Sequence, residues 1–247
     1  MFRKAPGKKH QSSLKGFHFR GHEVKRIETF SDAVFAFAVT LLIVSLEVPK
    51  SFEELMVTMR GFFAFAISFT LLMLIWYEQH VFFRRYGLED IKTVVLNAIL
   101  MFVVLFYVYP LKFLFTLLFS DQIYLHEKTP FSITQQQFPT LMSIYGIGYI
   151  VIYSLFLLMY LHALGKKESL NLTGVEIFDT KTRIYANVIL ICIGLLSVIT
   201  SQLLPVLSAG LSGFVYILIG PVFSIIHSYR GKRRRLLYPL HDEGKLE

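Results

Sequence analysis

The chain has 247 residues, of which 54% are hydrophobic and 15% aromatic, and its mean hydropathy of +0.55 exceeds what the polar surface of a water-soluble domain can cover. Its net charge of +8 comes from basic residues at the termini and in loops between apolar runs, a pattern that indicates membrane topology and argues against nucleic acid as a partner. Cys192 is the single cysteine, which excludes an intrachain disulfide and a cysteine metal cluster. We therefore expect an all-α polytopic membrane protein.

Residues 1–25 are polar and rich in basic side chains, and they precede the first apolar run. A cleaved signal peptide ends at a small-residue site, whereas here the apolar run is followed by Glu47, Val48, Pro49 and Lys50. We therefore predict a retained first span behind a cytoplasmic arm that is mobile over residues 1–21. The chain then divides into this arm (1–25), a transmembrane domain (26–229) and a basic cytoplasmic tail (230–247).

Six apolar segments are long enough to cross a bilayer core of about 30 Å, which takes roughly 20 helical residues. In chain order they cover residues 29–48, 55–77, 93–118, 138–164, 184–204 and 206–228. Pro49, Arg84 with Arg85, a polar stretch over 120–137 and Pro205 separate them. The sequence therefore predicts six transmembrane helices, of which the last two form a tight hairpin.

Basic residues lie unevenly on the two sides of these spans. Of the 25 Lys and Arg residues, only Lys50, Arg60, Lys112 and Lys128 fall on one side. The positive-inside rule places the richer side in the cytoplasm. Both termini are therefore predicted to be cytoplasmic, which agrees with the even number of spans.

The central portions of the six predicted spans contain no Asp, Glu, Lys or Arg. Proton-coupled transporters and intramembrane enzymes usually need such groups near the bilayer midplane. An enzyme that uses His80 with Asp32 is disfavoured further, because both residues have ready structural roles. We predict no enzymatic activity and no cofactor. A secondary transporter of a small solute stays open as the alternative, since Gly146 and Gly148 leave room for an irregular helix.

Polar residues gather near the predicted cytoplasmic ends of the first three spans. In chain order they are Arg26, Ser31, Asp32, Trp76, His80 and Asn97. Because the second span runs opposite to its neighbours, these residues lie at similar depth and could form one network. Asp32 could pair with Arg26 or His80, and Asn97 and the indole N–H of Trp76 could satisfy the remaining acceptors. A structural role explains each one singly: Thr29 and Asp32 resemble a capping box, Arg26 an anchor and Trp76 part of an aromatic belt.

Together these residues resemble a known family. Residues 26–32 fit the pattern R-x-x-x-F-S-D, and the matching positions are Arg26, Phe30, Ser31 and Asp32. This pattern resembles the signature that opens the first helix of the transmembrane protein 175 family of endosomal and lysosomal potassium channels. Trp76-x-x-x-His80 is similar to the second-helix motif of that family, and Asn97 with the apolar run to Pro110 resembles its third helix. The resemblance covers about residues 26–112 and is to the prokaryotic single-repeat type.

The resemblance implies a homotetramer, since a single six-span unit is one of four subunits in that family. It also implies that the first helix of each subunit lines the central pore. The motif residues are then implied to brace this helix without binding the ion, and they are Arg26, Phe30, Ser31, Asp32, Trp76, His80 and Asn97.

The helical period of the first span supports a pore-facing side. One face carries Ala33, Phe37, Thr40, Leu41 and Val44, and another carries Asp32, Phe35, Val39, Leu42 and Leu46. If the first face lines a pore, its large apolar side chains would gate by excluding water. We predict Phe37 as this hydrophobic gate. Leu41 or Val44 stay as alternative layers, because the resembling family has Leu or Ile at the position of Phe37 and this chain departs from that pattern.

Thr40 matches a threonine of the resembling family. Four copies of its hydroxyl could replace part of the hydration of an ion, or the hydroxyl could instead donate to the carbonyl of Ala36, as is common in membrane helices. Since the chain has no T-V-G-Y-G filter, we predict a moderate preference for potassium over sodium.

The predicted function is therefore a potassium-preferring cation channel with a hydrophobic constriction. The expected partners are three further copies of the chain, potassium ions bound in transit, and membrane lipids, including anionic lipids at the basic cluster from Arg230 to Arg235. No other metal site is expected. The single-repeat resemblance implies the plasma membrane of a prokaryote.

Overall fold

A computed structural model describes residues 17–21, 23–44, 50–60, 62–120, 137–203 and 215–238 of the chain. The regular secondary structure in these ranges is helical, which confirms the all-α prediction. The helices are α1 (Arg26–Val44), α2 (Phe52–Arg60), α3 (Phe62–Tyr86), α4 (Ile91–Ser120), α5 (Phe138–Gly165), α6 (Gly174–Leu203), a 3-10 helix (Val215–Leu218) and α7 (Ile219–Leu237).

Within the described ranges, four helices are long and apolar enough to cross a membrane, which supports an integral membrane protein. They are Phe65–Tyr86, Ile91–Leu111, Phe138–Gly165 and Gly174–Leu203. In the described part of α1, Arg26, Glu28 and Asp32 interrupt the apolar run, and α7 ends in a basic cluster. The count of six spans and the orientation of the termini therefore stay predictions.

Three predicted boundaries differ from the structure. The second span was expected to begin at Leu55, but that region is the separate helix α2, and α3 begins at Phe62. The helix α6 begins at Gly174, ten residues before the predicted fifth span, and α7 continues to Leu237, beyond the predicted start of the tail at residue 230.

The helices pack in chain order, with α1 against α3 and α4, α4 against α5, and α6 against α5 and α7. Large aromatic side chains fill the core, including Phe82, Phe83 and Phe156, each with 0% of its surface exposed. Burial of such side chains contributes a large apolar area and restricts how the helices approach each other. Of α1, the core covers the side that carries Phe35 and Leu42.

Two tyrosines join α4 to α5 at the proline inside α4. The hydroxyl of Tyr145 donates to the carbonyl of Pro110 over 2.6 Å, and the hydroxyl of Tyr107 donates to the carbonyl of Tyr145 over 2.7 Å. A β-carbon on Gly148 would lie 2.2 Å from the ring of Tyr107, so this close approach needs glycine. The pair satisfies two carbonyls and fixes the spacing of the helices.

Here we call the end of the bundle where α3 ends and α6 begins the basic end. Gly87 stops α3 there with a φ of +57°, and its N–H donates to the carbonyl of Phe83. The N–H groups of Arg20 and Gly21 donate to the carbonyl of Arg84 over 3.2 and 3.1 Å. The expectation of a mobile arm is therefore wrong for residues 17–21, which cap the end of α3.

A buried carboxylate holds this N-terminal segment in place. Glu176 is 0% exposed, and its two oxygens accept hydrogen bonds from the guanidinium of Arg20 over 3.0 and 2.8 Å. The same oxygens accept the backbone N–H groups of His18 and Thr173, each over 2.8 Å. Because Thr173 and Glu176 also form the capping box of α6, one side chain joins the N-terminal segment to the start of that helix.

Asp90 joins the start of α4 to the end of α5 at the basic end. It accepts hydrogen bonds from Thr93 and His162, each over 2.7 Å, and lies 3.4 Å from the ammonium group of Lys166. Partial burial raises the pKa of this carboxyl, but the hydrogen bonds and the two neighbouring basic groups outweigh it and lower the pKa to about 2. Asp90 is therefore ionised at neutral pH and suits the first turn of α4.

Candidate functional site

A chain of buried polar side chains links α1 to α3 and α4. The amide nitrogen of Asn97 donates to the hydroxyl of Ser31 over 2.8 Å, and the amide of Gln79 donates to the oxygen of Asn97 over 2.9 Å. Ser31 in turn donates to the carbonyl of Ile27 over 2.8 Å. Since Ser31, Gln79 and Asn97 are at most 2% exposed, each depends on these bonds for its polar atoms.

A second link lies beside the first and involves the carboxylate of α1. The indole N–H of Trp76 donates to Asp32 over 2.7 Å, and the ring of His80 stacks on the indole with centroids 5.5 Å apart. Asp32 was expected to pair with Arg26 or His80, and the indole N–H of Trp76 was expected to satisfy a remaining acceptor; the structure shows the bond from Trp76. The helix α3 presents its indole at the depth of Asp32, whereas His80 lies one turn further along.

The spacing of the residues explains why the links form. Trp76, Gln79 and His80 are three and four positions apart, so they share one face of α3. Ser31 and Asn97 each lie in the second turn of a helix that begins near the basic end. Because α3 ends where α1 and α4 begin, all five side chains reach the same level of the bundle.

Two of the predicted motif residues stand apart from these links. The side chain of Phe30 is 63% exposed, and that of Arg26 is exposed in the first turn of α1. Among the described residues, neither forms a hydrogen bond or an ion pair from its side chain to α3 or α4. Ser31, Asp32, Trp76, His80 and Asn97 are therefore the predicted residues that the structure brings together.

Two of the predicted pore residues, Phe37 and Thr40, lie on the uncovered side of α1. Phe37 is 56% exposed and Thr40 is exposed, whereas Phe35 and Leu42 on the opposite side are each 1% exposed. Leu41 lies between the two sides and packs partly against the core. Val44 is the last residue of α1, and its side chain lies outside the described residues. A single subunit thus leaves one face of α1 without cover.

The hydroxyl of Thr40 donates to the carbonyl of Ala36 over 2.9 Å. This is the alternative that the sequence left open, but it does not exclude contact with an ion. The donated proton points back to the helix, so the oxygen keeps its lone pairs for a cation on the uncovered face.

Two features of this region were not predicted. Gln79 extends the buried chain, and its position three residues after Trp76 was the available sign. Glu78 accepts hydrogen bonds from Arg183 over 2.9 Å and from Tyr160 over 2.7 Å, and so ties α3 to α6 and α5. The sequence gives no sign of that contact, because its partners lie 105 and 82 positions away.

Substitution of Asn97 by Leu is expected to destabilise the protein by about 2 kcal/mol, since the buried amide of Gln79 loses its acceptor. The midpoint of thermal unfolding in detergent measures the effect. Asn187→Leu is the matched control, because among the described residues the amide of Asn187, which is 3% exposed, donates to the carbonyl of Arg183 in its own helix and to no other helix. An equal shift in both variants would show that the link between helices adds nothing.

Within the described ranges, no group of three or more His, Cys, Asp or Glu side chains lies close enough together to hold a metal ion. The polar groups around α1 are hydrogen-bonded to each other, and the uncovered face offers apolar side chains with the oxygen of Thr40. This arrangement suits a support for a helix that faces an aqueous path.

Comparisons with known proteins match this region and most of the chain. The sequence profile of the family described as "Endosomal/lysosomal potassium channel TMEM175" matches residues 26–107. A protein of Marivirga tractuosa named "Potassium channel" is 43% identical over 234 residues, which cover 90% of this chain and 93% of that protein.

Two solved structures are similar. The potassium channel MtTMEM175, solved as a variant with a nanobody–MBP fusion, is 40% identical, has a TM-score of 0.77, and is matched over 89% of this chain and 99% of its own. A lysosomal potassium-selective channel homologue from Chamaesiphon minutus is 22% identical with a TM-score of 0.52, over 85% of this chain and 96% of its own, and shows similarity of fold.

Proposed function

Because the chain belongs to the family of the endosomal/lysosomal potassium channel TMEM175, we propose that it is a potassium-preferring cation channel whose pore is lined by α1. The observation that carries the proposal is the division of α1 into a buried side and an uncovered side with Phe37 and Thr40. The resemblance drawn from the R-x-x-x-F-S-D motif is confirmed at the level of the family. Relatives named as channels also confirm the prediction of a protein that is not an enzyme.

We propose that three further copies of the chain cover the exposed side of α1. Four copies around an axis would bring four α1 helices together, and the small side chains of Ala33 and Ala36 on the exposed side allow close approach. A homotetramer also follows the arrangement implied by the single-repeat resemblance. The transporter alternative receives no comparable support.

In this assembly, four Phe37 rings would form the narrowest apolar layer. A pore of this kind closes when large apolar side chains exclude water and leave an ion without hydration. Phe37 is the proposed gate because it is 56% exposed, whereas Leu41 is partly packed against the core. The layer at Val44 remains the alternative if the rings of Phe37 turn aside.

The links from Ser31 and Asp32 are proposed to brace α1 without contacting the ion. Both lie near the start of the helix, about one and a half turns before Phe37, and they bind side chains of α3 and α4. A braced helix lets the gate move while its base stays fixed. The proposed role of Arg26 and Phe30 rests on the motif alone.

The proposed location is the plasma membrane of a prokaryote, with both termini in the cytoplasm, because the relatives come from bacteria and the basic residues gather on one side. Anionic lipids are proposed to contact the basic cluster from Arg230 to Arg235. Arg230 and Arg234 already bind Thr182 and Asp179 of α6, so Lys232 and Arg233 remain for lipids.

Replacement of Thr40 by Val is expected to lower the ratio of potassium to sodium permeability about threefold, because the isosteric side chain removes four oxygen atoms from the proposed pore. Reversal potentials of the reconstituted variants measure this ratio. Thr70→Val is the matched control, since Thr70 on α3 is also exposed and donates to the carbonyl of Ala66 over 2.8 Å. An unchanged ratio in Thr40→Val would remove Thr40 from selectivity.

A further inference from the structure

A cleft of about 960 Å³ opens at the basic end between α3, α6, α7 and the N-terminal segment 17–21. Its basic lining residues are Arg84, Arg85, Arg183, Lys232 and Arg234, and Asp179 is the carboxylate among its described lining residues. The proposed pore does not use this cleft. Its excess of positive charge is therefore a separate feature of the fold.

Two of the five basic groups are neutralised within the protein. Arg234 pairs with Asp179 over 2.9 Å, and Arg183 pairs with Glu78 over 2.9 Å. Among the described residues, Arg84, Arg85 and Lys232 have no carboxylate partner within ion-pair distance. The cleft thus keeps three uncompensated cations on its walls.

Aromatic rings hold two of these cations in place. The guanidinium of Arg84 lies 4.8 Å from the ring centre of Phe19, and that of Arg85 lies 4.8 Å from the ring centre of Phe17. Contact with a ring face fixes a guanidinium while its N–H groups stay available for an anion. The rings themselves are fixed because the N-terminal segment is bound to Glu176 through Arg20.

Hydroxyl groups and a concave shape complete the features of an anion site. Ser224 and Ser228 of α7 line the cleft opposite α3 and supply hydroxyl donors. Positive groups in a concave site concentrate anions more strongly than the same groups on a flat surface. Guanidinium groups bind phosphate oxygens through paired hydrogen bonds, which favours phosphate over a halide ion.

We propose that this cleft binds a phosphate-bearing anion, either a soluble polyphosphorylated molecule or the headgroup of an anionic phospholipid. Both sources share the chemistry that Arg84, Arg85 and Lys232 recognise. The cleft lies at the level where α3 ends and α6 begins, so it is open to ligands from either source. The proposal goes beyond permeation and does not depend on it.

Trp76 gives a direct readout of binding to the whole protein. It is the single tryptophan of the chain, and it stacks on His80, which lines the cleft. The purified chain in neutral detergent is titrated with tripolyphosphate, and separately with phosphatidylglycerol against phosphatidylcholine. Saturable, salt-sensitive change in the Trp76 emission is expected for at least one of the two anionic probes.

Matched variants separate a site from general surface charge. Arg84→Gln with Arg85→Gln is expected to weaken binding about tenfold, and Lys232→Gln about threefold, because each removes a cation that has no carboxylate partner among the described residues. Lys181→Gln makes the same charge change at an exposed residue of α6 outside the cleft and is expected to leave affinity unchanged. Lys232→Gln keeps the test decisive if the double variant does not fold.

The outcomes also distinguish the two sources. Displacement of tripolyphosphate by phosphatidylglycerol but not by phosphatidylcholine supports a headgroup site, and binding of tripolyphosphate that the lipid does not disturb supports a soluble ligand. Absence of saturable binding of both anionic probes would overturn the proposal. So would equal weakening by Lys181→Gln and Lys232→Gln, since that result indicates only a diffuse basic surface.

Discussion

Substitution of Phe37 by Ala is expected to raise the potassium current of the closed channel about tenfold, because loss of the ring widens the proposed apolar layer and lets water enter. A tenfold change in rate corresponds to a barrier lowered by about 1.4 kcal/mol, which is modest for removal of four phenyl rings from one layer. Planar bilayer recordings of the purified variant at low open probability measure the current.

Two variants control for this result. Phe37→Leu keeps a large apolar side chain, and it is expected to leave the closed current near that of the wild type. Phe102→Ala removes the same ring from α4, where the side chain of Phe102 is 70% exposed, and should not increase the current. If Phe37→Ala conducts like the wild type, the constriction lies at another layer, such as Leu41 or Val44.

Substitution of Glu176 by Gln is expected to destabilise the basic end by about 3 to 5 kcal/mol, because it leaves the Arg20 guanidinium without its counter-charge. The two oxygens of the carboxylate accept four hydrogen bonds. The amide of glutamine keeps one acceptor oxygen, and its N–H groups would face donors that the second carboxylate oxygen accepted. Thermal unfolding measures the loss of stability. Faster hydrogen exchange at the amides of Arg20 and Gly21 measures the release of the N-terminal segment.

The controls for Glu176 use the same chemical change. Glu168→Gln alters an exposed residue between α5 and α6 and is expected to shift stability little. The double variant of Arg20→Gln with Glu176→Gln should be scarcely less stable than Glu176→Gln alone, since the charge that lost its partner is also removed. Additive losses in the double variant would show that the two side chains are not coupled.

Hydropathy predicted the long, uniformly apolar helices and was less accurate where a helix is short or charged. The fourth span was expected over 138–164, and α5 covers Phe138–Gly165. The second span was expected over 55–77, whereas the apolar helix long enough to span covers Phe65–Tyr86. The apolar residues of α2 extend the hydropathy pattern toward the N-terminus and so moved the predicted start.

The polar network was partly predictable because its residues lie at similar depth in antiparallel spans. This argument brought Asp32, Trp76 and Asn97 to one level, where the structure also places them. It named Arg26, His80 and the indole N–H of Trp76 as candidate donors at this level but did not choose between them for Asp32, since pairing depends on which side chain α3 turns toward α1. Gln79 was not predicted, because its position next to His80 does not by itself distinguish it from other polar residues near the end of the span.

The N-terminal segment was mispredicted for a different reason. Composition marks residues 1–21 as polar and basic, and such segments are often mobile when they have no partner. The partner of Arg20 is Glu176, which lies 156 positions away. In the sequence, Glu176 is already explained as part of the capping box of α6, so nothing indicates a second role. A contact over that separation leaves no trace in the pattern of a single sequence.

The uncovered side of α1 does not by itself identify the function of the protein. Lipid, a neighbouring subunit and a pore all meet apolar side chains, so exposure in one subunit does not separate them. The single hydroxyl of Thr40 among apolar residues favours a pore only when the family is known. The motif at Arg26 to Asp32 supplied that knowledge from the sequence.

The central claim is that this chain forms a potassium-preferring pore. The most direct test is the reversal potential of the purified protein in a planar bilayer with potassium on one side and sodium on the other. A current that reverses on the potassium-preferring side is the result we predict. A current that reverses near zero, or no current at any voltage with saturable solute uptake into liposomes, would contradict the claim and favour a non-selective pore or a transporter.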